Sequence, residues 1–249
     1  MIEERRIAEA GVNGLLARPA GQASVGGVLA VPMVSGVNAQ GRLFATRLAE
    51  AGLTTLMWDP YPGVPEEQLG QPGLPRVHDE AAAVDQARCL TYLRDVLGLQ
   101  RVGVIGWCMG GRMVLRLAAG DPGLAACVAY FPTLREPRPE HEADVIAVVD
   151  RIVCPVQALY GGKDHVTAPA AFASLQAALQ RRSQPTMIHV YPDADHGFLA
   201  ESRQAEAGNR QASRLAWPQT LAFLRAALLQ TELTYGPVRA GGVVATVTS

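Results

Sequence analysis

The chain has 249 residues, with 22 Lys and Arg against 23 Asp and Glu, a formal net charge of −1, and 49 % hydrophobic and 18 % charged residues. This balance excludes the basic stripe of a nucleic-acid binder and strong attraction to an anionic membrane surface, and the apolar fraction is that of a globular enzyme. No apolar run approaches the ~20 residues that span a bilayer. The start Met1-Ile2-Glu3-Glu4-Arg5-Arg6 has no basic-then-apolar leader, so the expected compartment is the cytoplasm.

Apolar runs of strand length alternate with runs of helical period. This is the signature of right-handed βαβ units on a mostly parallel sheet. A short strand pair is predicted near residues 6–18, followed by a buried strand over 25–31. Asn38 can cap a helix that runs to Gly52, the strand 54–58 follows, and a proline-rich loop over 59–75 is a candidate wall of the site. The longest early helix is expected over 78–97, stopping at Gly98. Strands are then predicted at 101–105, 125–131, 156–161 and 187–191, with helices at 109–119, from Thr167 with Pro169 near the first turn, and at 211–229. Residues 133–151 offer the one place for a cap and are too few for a lid with its own core. The reading is thus a single α/β domain of about seven or eight strands with helices on both faces and no large lid. The tail 231–249 is open among edge strand, packed arm and disorder.

The string Gly106-Trp107-Cys108-Met109-Gly110-Gly111 lies between a buried-strand pattern and a helix pattern. It reads as a nucleophile elbow with cysteine in the serine position, in which the residues two before and two after the nucleophile must be small. The helix that follows presents free N–H groups and a dipole that favour a thiolate and a neighbouring oxyanion. Asp164 follows 56 residues later, past a strand and a Gly-Gly turn, and His196 a further 32 residues on, just past another strand. Both are therefore expected on loops at the sheet edge that carries Cys108, in the order nucleophile, acid, histidine. The histidine would take the thiol proton, and the aspartate would orient the ring.

These stretches, together with Val34-Ser35-Gly36-Val37-Asn38 and Trp58-Asp59-Pro60-Tyr61, resemble the dienelactone hydrolase (carboxymethylenebutenolidase-like) family of the α/β-hydrolases over most of the chain. The resemblance implies a cofactor-independent esterase or lactonase in which Cys108 attacks a carbonyl. It also implies an oxyanion hole built from the backbone N–H groups of Val34 and Met109. Two positions depart from the family: Met33 stands where it has a glutamate, and Ala200 where it has a substrate-binding arginine. Arg203 and Arg76 are candidates to replace that arginine, and Ser35, Trp107 and Phe198 flank the presumed site and are candidate substrate contacts. A second reading is a non-hydrolytic protein of the same fold, a ligand binder or a thiol redox sensor through Cys108.

Other residue groups have plainer readings. His165 adjoins Asp164 and could be taken as the base, but His196 is the better candidate and His165 reads as a loop residue. His189, Asp193, Asp195 and His196 could suggest a metal cluster, but strand alternation sends His189 and Tyr191 to one face while the others lie on a turn, so no metal is expected. His78 and His141 read as surface residues. Cys89, Cys127 and Cys154 lie in apolar patterns with no Cys-x-x-Cys pair, which points to free thiols rather than a disulfide framework. A small-molecule ester or lactone is the expected partner, with monomer and homodimer both open.

Overall fold

Strands and helices alternate as the apolar periods dictate. The computed structural model describes residues 1–229 apart from Gln22 and Pro137. In chain order the elements are β1 (Ile2–Glu9), β2 (Val12–Pro19), β3 (Gly26–Val31), α1 (Ala39–Glu50), β4 (Leu53–Trp58), α2 (Asp79–Thr91), β5 (Val102–Trp107), α3 (Met109–Gly120), β6 (Ala126–Tyr130), β7 (Val156–Gly161), α4 (Pro169–Gln180), β8 (Thr186–Tyr191) and α5 (Ala207–Leu228). The expectation for residues 231–249 lies outside the described residues.

The eight strands form one sheet in the order β1-β2-β4-β3-β5-β6-β7-β8. β2 pairs antiparallel with both β1 and β4, and the remaining pairs are parallel. The central strands are apolar throughout because both faces are covered. In β5, Val102 and Val104 face the layer that holds Leu90 of α2, Met113 of α3 and Phe172 of α4. Ile105 and Trp107 face Phe44 of α1 and Leu224 of α5. The result is an α/β-hydrolase fold, with helices on both faces of a mostly parallel sheet.

This strand order places the functional loops. The chain leaves β3 through α1 toward β4, then returns through α2 to β5 on the other side of β3. The carboxyl ends of β3 and β5 therefore lie side by side where the winding reverses, the crevice that open α/β sheets use for ligands.

Three elements differ from the sequence expectation. The helix expected over 78–97 stays α-helical to Thr91 and continues as a π-helical turn, Tyr92–Val96. The tyrosine at that junction is tied down, with Tyr92 Oη donating to Glu9 Oε1 at 2.8 Å and accepting from Arg5 Nη2 at 2.9 Å. The last helix starts at Ala207 rather than at 211, where Gly208 lies against the Asp193 carbonyl and the Asn209 side chain holds residue 195. It also runs through Pro218 without ending. The segment 133–151 folds back over the helices, with Asp79 N–H donating to His141 O at 3.0 Å and Arg112 paired to Glu142 at 3.1 Å.

Alanine normally stabilises a helical site relative to glycine by about 1 kcal/mol. At Gly110, in the first turn of α3, a Cβ would lie 2.0 Å from Val31 O. Gly110→Ala should therefore reverse the usual sign and cost at least ~1–3 kcal/mol, read as a lowered urea midpoint.

Candidate active site

β5 passes into α3 through Cys108 alone, and the reversal forces that residue to φ 57° and ψ −115°. A side chain other than glycine's in this region stores about 1–3 kcal/mol of strain, which the surrounding contacts must hold. They do so on three sides. A Cβ at Gly106 would lie 2.2 Å from Gly110 O, so the turn closes only on hydrogen. Cys108 N–H donates to Tyr130 O at 3.1 Å, and Cys108 O accepts from Arg112 N–H at 3.2 Å and Thr133 N–H at 3.1 Å. The thiol is thereby fixed at the amino end of α3.

Two further loops converge on it. Asp164 follows β7 in a turn closed by its own N–H on Gly161 O at 3.0 Å. Its Oδ1 accepts from Val166 N–H and Thr167 N–H, both at 2.8 Å, which leaves Oδ2 to meet His196 Nδ1 at 2.8 Å. The loops that carry Asp164 and His196 are packed backbone to backbone, since a Cβ at Gly161 would sit 2.6 Å from Ala194 O. Lys163 N–H donates to Ala194 O at 2.8 Å across the same contact. His196 is buried, with the Phe131 ring edge-on at 5.2 Å between centroids.

Sγ of Cys108 and the His196 ring are neighbours, and in the resting arrangement the sulfur's hydrogen bond is to Thr133 Oγ1, at 3.1 Å. His196 Nε2 is buried without a hydrogen-bond partner among the described residues. The two groups act on one another through their direct side-chain contact first and through charge second. Burial pushes the thiol up, but the His196 ring, the Thr133 hydroxyl and the Met109 N–H together outweigh it and hold Cys108 below its ordinary value. Burial pulls the His196 ring down, but Asp164 and the adjacent thiol lift it to about 9. The other thiols behave oppositely: burial pushes Cys89 to about 12, Cys154 to about 11 and Cys127 well up.

Val34 lies on the loop after β3 and is 57 % exposed; its carbonyl accepts from Tyr61 Oη at 2.8 Å. That bond ties the loop 59–75 to it, and the Gly36 backbone lies so close to the Tyr61 ring that a Cβ there would meet it at 2.8 Å. Among the described residues, neither the Val34 N–H nor the Met109 N–H is taken by a backbone carbonyl. Ser35 is half-buried on the same loop, beside Gly70.

The other predicted contacts are placed differently. Trp107 does not line the site: it is fully buried, stacked on Phe44 at 4.4 Å between centroids, because strand alternation turns it to the α1 and α5 face. Phe198 is likewise fully buried, against Phe131 and Tyr191. Arg203 lies beside Gly197, with Nη1 on Asp195 Oδ2 at 3.0 Å. Arg76 is exposed, and its charge is felt at His141. His165 is exposed with its ring edge-on to His196 at 6.1 Å, while Asp164 engages His196. Sequence reading missed Thr133, whose hydroxyl has no motif to mark it. Among the described residues no group of three or more His, Cys, Asp and Glu could hold a metal ion, and no helix is long and apolar enough to cross a membrane.

Comparison with known proteins gives a consistent picture. A family model described as the dienelactone hydrolase family matches residues 12–228. A Bradyrhizobium sp. protein named "Probable 2-oxo-3-(5-oxofuran-2-ylidene)propanoate lactonase" is 26 % identical over 232 residues, covering 86 % of this chain and 91 % of that one. The Escherichia coli (strain K12) protein named "Putative carboxymethylenebutenolidase" is 28 % identical over 188 residues, covering 71 % and 68 % respectively. Among solved structures, a "Putative Dienelactone Hydrolase" from Klebsiella pneumoniae subsp. pneumoniae is similar with a TM-score of 0.78 at 25 % identity, covering 93 % of this chain and 99 % of that one.

The four thiols make a selective titration possible. Ultraviolet thiolate absorbance should show one thiol ionising below the ordinary value of ~8.5, lost in Cys108→Ser. The His196 ring, followed by NMR, should titrate near about 9. Cys108→Ser should lower that value, because the thiolate that favours the imidazolium is gone.

Proposed function

The chain belongs to the dienelactone hydrolase family, and we propose that this hydrolase cleaves small-molecule esters or lactones by covalent catalysis, with Cys108 as nucleophile, His196 as acid-base and Asp164 as its orienting partner. One observation carries the reading. The sulfur sits on a strained strand-to-helix turn, and the same crevice brings it a buried histidine whose far nitrogen is held by a carboxylate at 2.8 Å. Backbone strain of this kind clusters where a group must act at one point in space.

The steps follow from the geometry. His196 Nε2 takes the thiol proton, and the resulting imidazolium is stabilised through Nδ1–H by Asp164 Oδ2. Sγ attacks the carbonyl carbon, and the carbonyl π pair moves onto oxygen, where the Val34 and Met109 N–H groups receive it. The adduct collapses by breaking the acyl carbon–oxygen bond. The departing alkoxide takes the proton from Nε2, leaving a thioester on Cys108; from a lactone, the alcohol stays on the same acyl chain. Water then gives a proton to Nε2 and attacks the thioester, and the tetrahedral adduct expels the thiolate to release the carboxylic acid. Every step uses side chains and backbone of this chain, so no cofactor enters.

The two departures bear on substrate. Met33 is half-buried against the core on the α1 and α5 side and brings no carboxylate to the thiol. At Ala200 there is no guanidinium for a substrate carboxylate, and Arg203 is engaged by Asp195. The dienelactone itself is therefore left out of the proposal, which rests on the ester or lactone carbonyl common to the class.

Cys108→Ala should lower turnover of activated esters and small lactones by at least ~10⁴-fold, the scale of removing a nucleophile that acts as a unit with its base. Its thermal midpoint should stay near that of the wild type. With wild type, intact-mass spectrometry under single turnover should show an acyl adduct on Cys108 that decays to free enzyme. Full activity in Cys108→Ala would sink the proposal. A thiol that alkylates readily yet forms no adduct with any ester or lactone would instead favour the ligand-binding or redox reading.

A further inference from the structure

The segment that leaves β6, residues 131–134, touches Cys108 and His196 and is bonded to Thr167 on the Asp164 loop. Phe131, held at φ 33°, packs its ring against His196. Thr167 Oγ1 donates to Pro132 O at 2.8 Å and accepts from Leu134 N–H at 2.9 Å, and Thr167 N–H also caps Asp164 Oδ1. Thr133 lies between these grips. Its N–H donates to Cys108 O, and its hydroxyl meets Cys108 Sγ at 3.1 Å. Among the described residues the sulfur is the one hydrogen-bond partner of that hydroxyl, so the hydroxyl proton is available to it.

The carbonyl of Thr133 is held by a buried charge cluster. Arg112, one turn past Cys108, donates Nη1 to Thr133 O at 3.3 Å. Its guanidinium is 3 % exposed and is clamped by Asp79 through Nε at 2.8 Å and Nη2 at 2.9 Å, with Glu142 Oε1 at 3.1 Å from Nη1. Asp79 Oδ2 also accepts from Ala143 N–H at 2.8 Å. A buried cluster of this kind adds little to stability over an apolar packing of the same shape, because three charges must leave water. What it does provide is direction: a fork fixed on two sides aims its remaining donor at one carbonyl.

We infer that Thr133 is a fourth catalytic residue, whose hydroxyl donates to the Cys108 thiolate, and that Arg112, clamped by Asp79 and Glu142, is the positioning residue that holds it there. This rests on the hydrolase reading above for the role of the thiolate. The hydroxyl spreads the sulfur's charge without occupying His196, which remains free for proton transfer. The cluster keeps residues 131–134 in register with both the elbow and the Asp164 loop.

The test is the pH dependence of Cys108 alkylation by iodoacetamide, followed by peptide mass, in the full-length protein. Thr133→Val keeps the shape and removes the hydroxyl. It should move the midpoint up by about one pH unit, a tenfold loss of thiolate at any pH well below both midpoints, which is the scale of one hydrogen bond to a charged atom. Thr133→Ser should restore the wild-type midpoint, and Thr133→Ala should match valine. The serine–alanine pair keeps the hydroxyl's effect readable should valine lower the melting temperature. Arg112→Lys, which keeps charge and loses the fork, should give a smaller rise. Ester turnover in Thr133→Val should fall by about tenfold at pH values well below the wild-type midpoint, and the pH profile should rise about one unit higher. An unchanged midpoint in Thr133→Val, or serine behaving as alanine, overturns the inference even if esters are hydrolysed. A midpoint that moves as stated in a protein that turns over no ester overturns the hydrolase reading and leaves the hydroxyl's hold on the thiolate standing.

Discussion

The contact on which the site depends is the near approach of the first turn of α3 to the end of β3. A Cβ at Gly110 would lie 2.0 Å from Val31 O and 2.6 Å from Pro32 O, so two backbones meet where only hydrogen fits between them. That approach forces the one-residue reversal at Cys108 and its positive φ. It also sets the end of β3, and hence the Val34 loop, beside the amino end of α3. The two N–H groups proposed to receive an oxyanion thus come from elements distant in sequence, brought together by one parallel pair, β3 with β5. Strain at the elbow and the crevice beside it have the same cause.

Around this contact the molecule places charge according to what each group must do. Four cysteines occupy the same chain, and burial raises three of them. Cys108 is half-buried, and it moves the other way because a cationic ring, a hydroxyl and a helix N–H surround the sulfur. The His196 ring is buried and would otherwise lose its proton readily, but a carboxylate with two backbone N–H bonds on its other oxygen keeps it protonated to about 9. The result is a pair of groups whose charges sustain each other in surroundings that disfavour either charge alone.

The loops are made rigid by backbone packing more than by side-chain contacts. Gly161 and Gly162 let the Asp164 turn lie directly on the carbonyls of residues 192–195, and Asn209 at the start of α5 holds residue 195 from behind. The segment after β6 closes the arrangement, since its atoms reach the elbow, the imidazole and the acid's loop at once. Residues 133–151, which by length could only have been a small cap, serve instead as a buttress along α2 and α3, with their buried polar partners on Arg112 and Asp79.

What the sequence determined by itself is what local chemistry demands. Glycines at 106 and 110 around a cysteine between a buried run and a helical run point to an elbow, because the turn needs small residues at those two places. The alternation of strand and helix periods sets a parallel α/β sheet, and the order of Cys108, Asp164 and His196 puts each past the end of a strand, where the structure has them. Tertiary structure decided what depends on neighbours far along the chain. Trp107 adjoins Cys108 and Phe198 lies two residues past His196, yet both are fully buried in the core; for Trp107 the reason is strand alternation, which turns neighbouring residues to opposite faces. The helix after residue 78 turns π-helical where Tyr92 is held by Arg5 and Glu9, a pairing no local period encodes. Thr133 carries no motif, and its place on the sulfur comes from Arg112, Asp79 and Thr167 acting on three sides of one segment. A residue's surroundings are set by long-range contacts, and a single sequence read locally contains the residues of those contacts without their distances.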